Sequence, residues 1–315
     1  MDNLMNHPMI DELKTVSVET YINHRKIHFP EVNDDFTALE GFKTMCVISI
    51  SYDKQEVKWQ KKGFGKTPRY SYGIDYHLVY NALFNELEAS LAKQGITAKG
   101  YADVSPIDER VAAELAGVGY IGKNQLLIHK DYGTYHFLGV LLIDQTLKTT
   151  PNPLDTCGSC TKCIDACPPG ALSEEGFNKH VCSSYVTQIK KPWSMDDVRW
   201  LKTKVFGCDI CQKVCPKNAE IFPVKRDTFE SDEHSQLDLK QLLTMSNKAI
   251  QRAYKDYAYS YRGGLVLKRN AFALLYNHRL YDALPLMKST YETYKHVSWF
   301  ETTARMIIKE MEKKQ

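Results

Sequence analysis

Nine cysteines stand in the 315 residues, and eight of them fall between Cys157 and Cys215, leaving only Cys46 apart. The first group reads Cys157-Gly-Ser-Cys160-Thr-Lys-Cys163-Ile-Asp-Ala-Cys167-Pro168. This is the bacterial ferredoxin run, in which three close cysteines are followed by a fourth that precedes proline. The second group opens with Cys182 and resumes as Cys208-Asp-Ile-Cys211-Gln-Lys-Val-Cys215-Pro216. Two-residue gaps let successive thiolates reach neighbouring irons of one cubane, while the cysteine before proline turns away to the other cluster. Cluster one therefore draws on Cys157, Cys160, Cys163 and Cys215, and cluster two on Cys182, Cys208, Cys211 and Cys167. Cys182 departs from the compact pattern through an insertion of about two dozen residues, which loop closure tolerates when the ends stay close. Zinc also binds Cys-x-x-Cys pairs, but it has no need of the repeated Cys-Pro ending. The expected chemistry is electron transfer through two [4Fe–4S] clusters.

Two other patterns invite chemical readings and are refused. Gly117-Val-Gly119-Tyr-Ile-Gly122-Lys123-Asn124 nearly fits both a dinucleotide fingerprint and a P-loop. Each of those needs a strand before the glycines and a helix after them. Here the order is inverted, so the glycines serve a tight corner or a close approach to a large planar ligand. Asp75-Tyr76-His77 begins like a cobalt-ligating Asp-x-His-x-x-Gly, but Tyr80 stands where the glycine should be. His77 is expected to be a hydrogen-bonded structural histidine. Lys54, Lys58, Lys61, Lys62, Lys66 and Arg69 lie among Trp59, Phe64 and Tyr70. Such a segment can meet a phosphate backbone and unpaired bases; a solvated loop is the plainer expectation.

The elements that position these residues are legible in outline. Residues 45–52 (MCVISISY) read as a buried strand, and Tyr80, Leu83, Phe84, Leu87 and Leu91 repeat at helical spacing before Gly95. A strand over residues 96–102 ends at Asp103. Ser105 and Asp108 have capping-box spacing, with Pro106 at the first helical position and Val111 and Leu115 on the helix that follows. Strands are expected at residues 126–129 and 137–143, joined through Asp131-Tyr132-Gly133. Pro151-Asn152-Pro153 marks a boundary, and the cysteine-rich region ends near Pro223. From about Leu237 helical periodicity dominates, with Leu265, Leu267, Ala271, Leu274 and Leu275 on one face and a further helix over residues 296–312. The layers are expected to be α/β or α+β at the N-terminus, then a cluster region, then paired helices of helical-repeat type.

Bulk composition bounds the rest. A 36.1 kDa chain with 43% hydrophobic and 25% charged residues has room for two or three cored modules. The net charge of +3 points to no partner by itself. No apolar run approaches a membrane span, and residues 1–7 (MDNLMNH) lack the features of an export signal. A cytoplasmic monomer with no membrane attachment is expected.

Several stretches together resemble the epoxyqueuosine reductases, cobalamin-dependent iron–sulfur enzymes that complete queuosine synthesis in tRNA. They are Arg69-Tyr-Ser-Tyr-Gly-Ile-Asp-Tyr-His77, Asp103-Val-Ser-Pro-Ile-Asp-Glu-Arg110 and Ala116-Gly-Val-Gly-Tyr-Ile-Gly-Lys-Asn124. Both cysteine motifs, Cys182-Ser-Ser-Tyr185, Phe206-Gly-Cys-Asp-Ile-Cys-Gln212, Tyr261-Arg-Gly-Gly264 and Lys268-Arg-Asn270 extend the likeness from about residue 40 to the end. The chain departs from the family in lacking most of an early N-terminal strand and helix, and in carrying Lys217 where a tryptophan is usual.

The resemblance implies an α+β chain of three modules. These are an α/β corrinoid-binding module over residues 1–150, a dicluster ferredoxin-like module over 151–224 and a helical, HEAT-like module over 225–315. It implies cobalamin held between the first module and the clusters, a tRNA carrying epoxyqueuosine as substrate, and an external electron donor of flavodoxin or ferredoxin type. The proton donor of the family falls on Asp103. That residue follows a strand and precedes a capped helix, a place that suits either a turn cap or a functional carboxyl. Lys123, Asn124, Ser184, Tyr185 and Thr187 lie in stretches implied to border the macrocycle, and each could equally pack or face solvent. Arg69 and Tyr70 could face cofactor or RNA. Two other classes remain in view, a ferredoxin-like electron carrier and a soluble corrinoid reductive dehalogenase.

Overall fold

The structure, a computed structural model, describes residues 7–32, 34–149, 155–222 and 224–314. The Pro151-Asn152-Pro153 boundary, Pro223 and residues 1–6 lie outside the described residues. The chain forms two compact units. One comprises Met1–Tyr52, Tyr76–Thr161 and Val214–Val224; the other comprises Asp53–Asp75, Lys162–Lys213 and Lys225–Gln315. Each unit draws on three separate stretches of the sequence.

The first unit is built on a four-stranded sheet. Its elements run β1 (Glu12–Ser17), α1 (Val18–His28), β2 (Thr44–Ser51), α2 (Tyr76–Ala92), β3 (Ala98–Tyr101), α3 (Glu109–Ala116), β4 (Gly119–Ile121), β5 (Leu127–His129) and β6 (His136–Ile143). The strand order is β1-β2-β6-β3, and every pairing is antiparallel. This corrects the α/β expectation for the region to α+β, because alternation of strand and helix in sequence does not fix strand direction. All eight residues of β2 are buried, so both faces of the sheet are covered. Met45, Val47, Val140 and Leu142 pack with Val111, Ala112, Ala113 and Ala116 of α3 and with Tyr21 of α1. On the other face Tyr80 of α2 sets its hydroxyl 3.0 Å from the Ile48 carbonyl and 3.1 Å from that of Phe137.

Two expectations change here. An early strand and helix are present as β1 and α1; they are hard to read because only Val18, Tyr21 and Arg25 of α1 are buried. The helix after Asp103 starts at Glu109, not after Ser105. Ser105 spends its hydroxyl on Ile107, accepting from its N–H and donating to its carbonyl, while the Asp108 carboxyl accepts from the Arg110 and Val111 N–H groups.

The second unit is largely helical. Its helices are α4 (Lys162–Asp165), α5 (Ser183–Val186), α6 (Met195–Trp200), α7 (Ile210–Lys213), α8 (Leu239–Thr244), α9 (Asn247–Ala253), α10 (Gly264–Asn277), α11 (Leu284–Tyr294) and α12 (Ser298–Glu312). A short antiparallel ribbon pairs Phe64–Lys66 with Gln236–Asp238. The core gathers Leu267, Phe272, Leu275, Met287, Phe300 and Ile307 around α10. Periodicity suggests one apolar face for α10, yet it is buried nearly all round, including Lys268, Arg269 and Asn270 at 0% exposure. Those polar side chains are tolerated because each is matched by backbone carbonyls. The basic stretch splits: Lys58, Lys61 and Lys62 are exposed, Lys66 pairs with Glu56, and Arg69 is buried.

Candidate functional site

All eight clustered cysteines are free thiols. In the second unit Cys182 leads into α5, Cys211 sits on α7, and Cys163 sits buried on α4. Burial pushes the Cys208 thiol up to about 11, against the lowering pull of Lys204. Burial raises Cys211 further still, with Cys208, Cys182 and Cys163 adding to the rise. In the first unit burial raises Cys215, and Cys157 and Cys160 add to it. These three thiols therefore ionise reluctantly on their own, and a metal centre would hold them as thiolates.

Backbone amides already point at two of the sulfurs. The Lys123 N–H donates to Cys157 Sγ at 3.5 Å, and the Ala171 N–H to Cys167 Sγ at 3.3 Å. Among the described residues no three His, Cys, Asp or Glu side chains converge on one point as a single-ion site requires. A cubane spreads its four thiolates over separate irons. Thiols, amide donors and spacing fit iron–sulfur clusters.

The residues read as cofactor contacts are tied into this framework. Arg69 donates through Nε to Oδ2 of Asp209, the residue after Cys208, at 2.8 Å and through Nη1 to the Lys54 carbonyl at 3.0 Å. Tyr70 is half-buried with its hydroxyl 3.0 Å from Ser184 Oγ. The Thr187 hydroxyl donates to the Ser184 carbonyl at 2.9 Å and accepts the Gly207 N–H at 2.8 Å. Tyr185 meets His180 edge-on at 5.7 Å. Behind this segment lies Arg269, whose guanidinium donates to the carbonyls of Val186, Thr187, Ile189 and Lys191 at 2.6 to 3.3 Å. It also stacks 3.8 Å above Trp193. Asn270 adds bonds to the carbonyls of Thr187 and Val205, both at 2.8 Å. The sequence likeness includes Lys268-Arg-Asn270, but nothing in it shows that Arg269 and Asn270 hold the segment after Cys182 while Lys268 binds the carbonyls of Leu242, Leu243 and Met245.

Asp103 occupies a different setting in the first unit. It follows β3 with φ 59°, in the left-handed region, and its side chain is 56% exposed. His77 Nε2 lies 3.0 Å from its Oδ2, which bears out the expectation of a hydrogen-bonded histidine and supplies a partner that the sequence does not name. His77 stacks on Tyr76, and Tyr76 on Phe137 at 4.4 Å and 7°. The Asp103 N–H donates to Glu109 Oε1 at 2.6 Å. Burial pushes the Glu109 carboxyl up to about 8; the Asp103 N–H lowers it, and the charges of Asp103 and Asp108 raise it again.

The glycine motif forms a corner. Gly117 caps α3 at φ 85°, and a Cβ on Gly119 would lie 2.3 Å from the Ile128 carbonyl oxygen. A helix precedes it and the hairpin of β4 and β5 follows, so neither nucleotide reading applies. At its end Asn124 accepts the Leu126 N–H at 3.1 Å, while its buried Nδ2 has no hydrogen-bond partner among the described residues. Lys123, next to it, is half-buried.

No helix among the described residues is long and apolar enough to cross a membrane. A family model described as "Epoxyqueuosine reductase QueG, DUF1730" matches residues 36–104, and one described as a 4Fe-4S double cluster binding domain matches residues 156–218. An epoxyqueuosine reductase of Listeria monocytogenes is 34% identical over 251 residues, 77% of this chain and 66% of the relative. One of Lactococcus garvieae is 36% identical over 256 residues, 79% of this chain and 73% of the relative. The solved epoxyqueuosine reductase of Streptococcus thermophilus superposes with a TM-score of 0.85 at 27% identity, covering 100% of this chain and 90% of that one. A crystal structure of an epoxyqueuosine reductase with an epoxyqueuosine-modified tRNA-Tyr stem loop gives 0.84 at 26% identity, covering 96% and 86%. A plain electron carrier and a dehalogenase are thereby set aside. The chain belongs to the epoxyqueuosine reductase family and is an oxidoreductase of that class.

Proposed function

We propose that this chain reduces epoxyqueuosine to queuosine at the wobble position of a tRNA, using two [4Fe–4S] clusters and cobalamin. The observation that carries the reading is the reductase match and the double-cluster match in one chain that keeps all eight cysteines. We read residues 1–150 as the corrinoid-binding module, 151–224 as the dicluster module and 225–315 as the helical module. The same reading takes the protein as a cytoplasmic monomer served by an external donor of flavodoxin or ferredoxin type.

Cluster one would be held by Cys157, Cys160, Cys163 and Cys215, and cluster two by Cys182, Cys208, Cys211 and Cys167. The cobalamin assignment rests on the motif likeness, and the unsatisfied Nδ2 of Asn124 supports it as a buried donor suited to a polar edge of a large ligand. Lys123, Asn124, Ser184, Tyr185 and Thr187 are the candidate contacts. Arg69 and Tyr70 act through Asp209 and Ser184, shaping the same segment.

When bound, cobalamin supplies a strongly reducing cobalt centre for attack on the epoxide. Loss of the epoxide oxygen as water consumes two electrons and two protons and leaves a carbon–carbon double bond. Asp103 gives one of those protons to the departing oxygen, with His77 orienting its carboxyl. In the chain alone the Asp103 side chain is 56% exposed, so the desolvation that lets a carboxyl stay protonated comes from the bound ligands.

Anaerobic reconstitution with iron, sulfide and cobalamin tests this. About eight irons and one cobalt per chain are expected, together with conversion of epoxyqueuosine in modified tRNA. Asp103→Asn should retain both metals and lose turnover. Near-normal turnover would remove Asp103 from the mechanism, and eight irons without retained cobalt would remove cobalamin.

A further inference from the structure

Asp103 is one of four non-glycine residues with positive φ among the described residues. That conformation costs an ordinary residue about 1 kcal/mol, so something must hold it. Val104 after it is 75% exposed, and Ser105 is occupied with Ile107. The Asp103 backbone N–H donates to Glu109 Oε1 at 2.6 Å, six residues on. Glu109 is itself fixed as the first residue of α3, whose N-cap Asp108 is anchored by Arg110 and by the Tyr21 hydroxyl.

We propose that Glu109 is a positioning residue: its carboxyl latches the Asp103 backbone in the left-handed conformation, so that the Asp103 carboxyl stays paired with His77 and is presented for proton donation. The inference rests on the reading of Asp103 as donor and adds the group that aims it. An acceptor that is charged or readily ionised holds an N–H more strongly than a neutral one. Burial keeps Glu109 near the point of ionisation at neutral pH, with Asp103, Asp108 and His77 as the titratable groups facing it. The latch therefore tightens as pH rises through about 8.

Three variants test it. Glu109→Ala removes the acceptor, Glu109→Asp keeps the charge but shortens the reach by one methylene, and Glu109→Gln keeps an oxygen at the same distance. In the chain without tRNA, amide hydrogen exchange at Asp103 should quicken about tenfold in E109A and E109D and stay near wild type in E109Q. In the reconstituted enzyme, E109A and E109D should lose about tenfold in kcat with KM and iron content unchanged, and E109Q should restore turnover to within about threefold. Unchanged exchange in E109A overturns the latch. So does an E109Q as slow as E109A, which would make Glu109 a proton-transfer group instead. If Asp103→Asn turns over normally, the donor reading falls; if it is inactive while E109A exchanges like wild type, only the latch falls.

Discussion

Two regions of this protein hold polar groups against their intrinsic preference, and they do so in opposite ways. In the second unit a guanidinium with no exposed surface is surrounded by four backbone carbonyls and an indole face. In the first unit a carboxylate residue stands in a left-handed turn, more than half exposed, its N–H bonded to a glutamate and its carboxyl to a histidine. The first arrangement makes the segment after Cys182 rigid, because every donor has an acceptor and none can leave without stranding another. The second leaves a carboxyl accessible, as the proposed proton donor to a large substrate would have to be, at the expense of local stability. Electron relay wants fixed ligands; proton delivery to a bulky nucleic acid wants an accessible one.

The sharpest way to break the comparison is to loosen the rigid side. Arg269→Met strands four carbonyls and should cost about 3–5 kcal/mol, read as a lower urea midpoint with a fall in iron retained after reconstitution. Unchanged iron content would mean that this scaffold does not govern the cluster ligands. Lys268→Met frees the carbonyls of Leu242, Leu243 and Met245 and should cost about 2 kcal/mol. Burial also lowers Lys268 to about 8 from its usual 10.5. Above pH 8 the folded chain gives up that proton before the unfolded chain does. Lys268 thus makes the wild type gain stability relative to the variant as pH rises toward 10.5, which paired urea melts would reveal.

The exposed side should answer with a slope of opposite sign. Glu109 keeps its proton to about 8 when folded and loses it near 4.5 when unfolded, so its contribution to stability is complete below pH 4.5 and declines up to about 8. E109Q should remove that decline, which urea melts run from pH 4.5 to 8 would read. Parallel slopes in wild type and variant would place Glu109 in a more solvated setting than the latch requires.

What could be read beforehand follows the range of the interactions. The cysteine runs are legible because cluster ligation is coded in spacings of two and three residues. Strand β2 and helix α2 are legible because long periodic apolar runs are strong local patterns. The early strand and helix escape notice because α1 buries only Val18, Tyr21 and Arg25 and leaves an apolar residue, Ile27, exposed. Ser105 looks like the cap because its spacing to Asp108 fits, yet the hydroxyl finds a nearer partner in Ile107. The pairs Asp103–His77, Arg69–Asp209 and Arg269–Thr187 span 26, 140 and 82 residues, and no local pattern announces them.

The interleaving of the two units bears on how the protein is made. The chain crosses from one unit to the other five times, and the first unit takes its last segment from Val214–Val224. In that segment Asn218 donates to the Thr134 hydroxyl at 2.9 Å and accepts the Thr134 N–H at 2.8 Å. A ribosome that has released the sheet has therefore not yet released what completes it. The nascent sheet, residues 12–143, thus emerges well before the segment that Thr134 binds, and that segment arrives together with Cys215, the last of the eight clustered sulfurs.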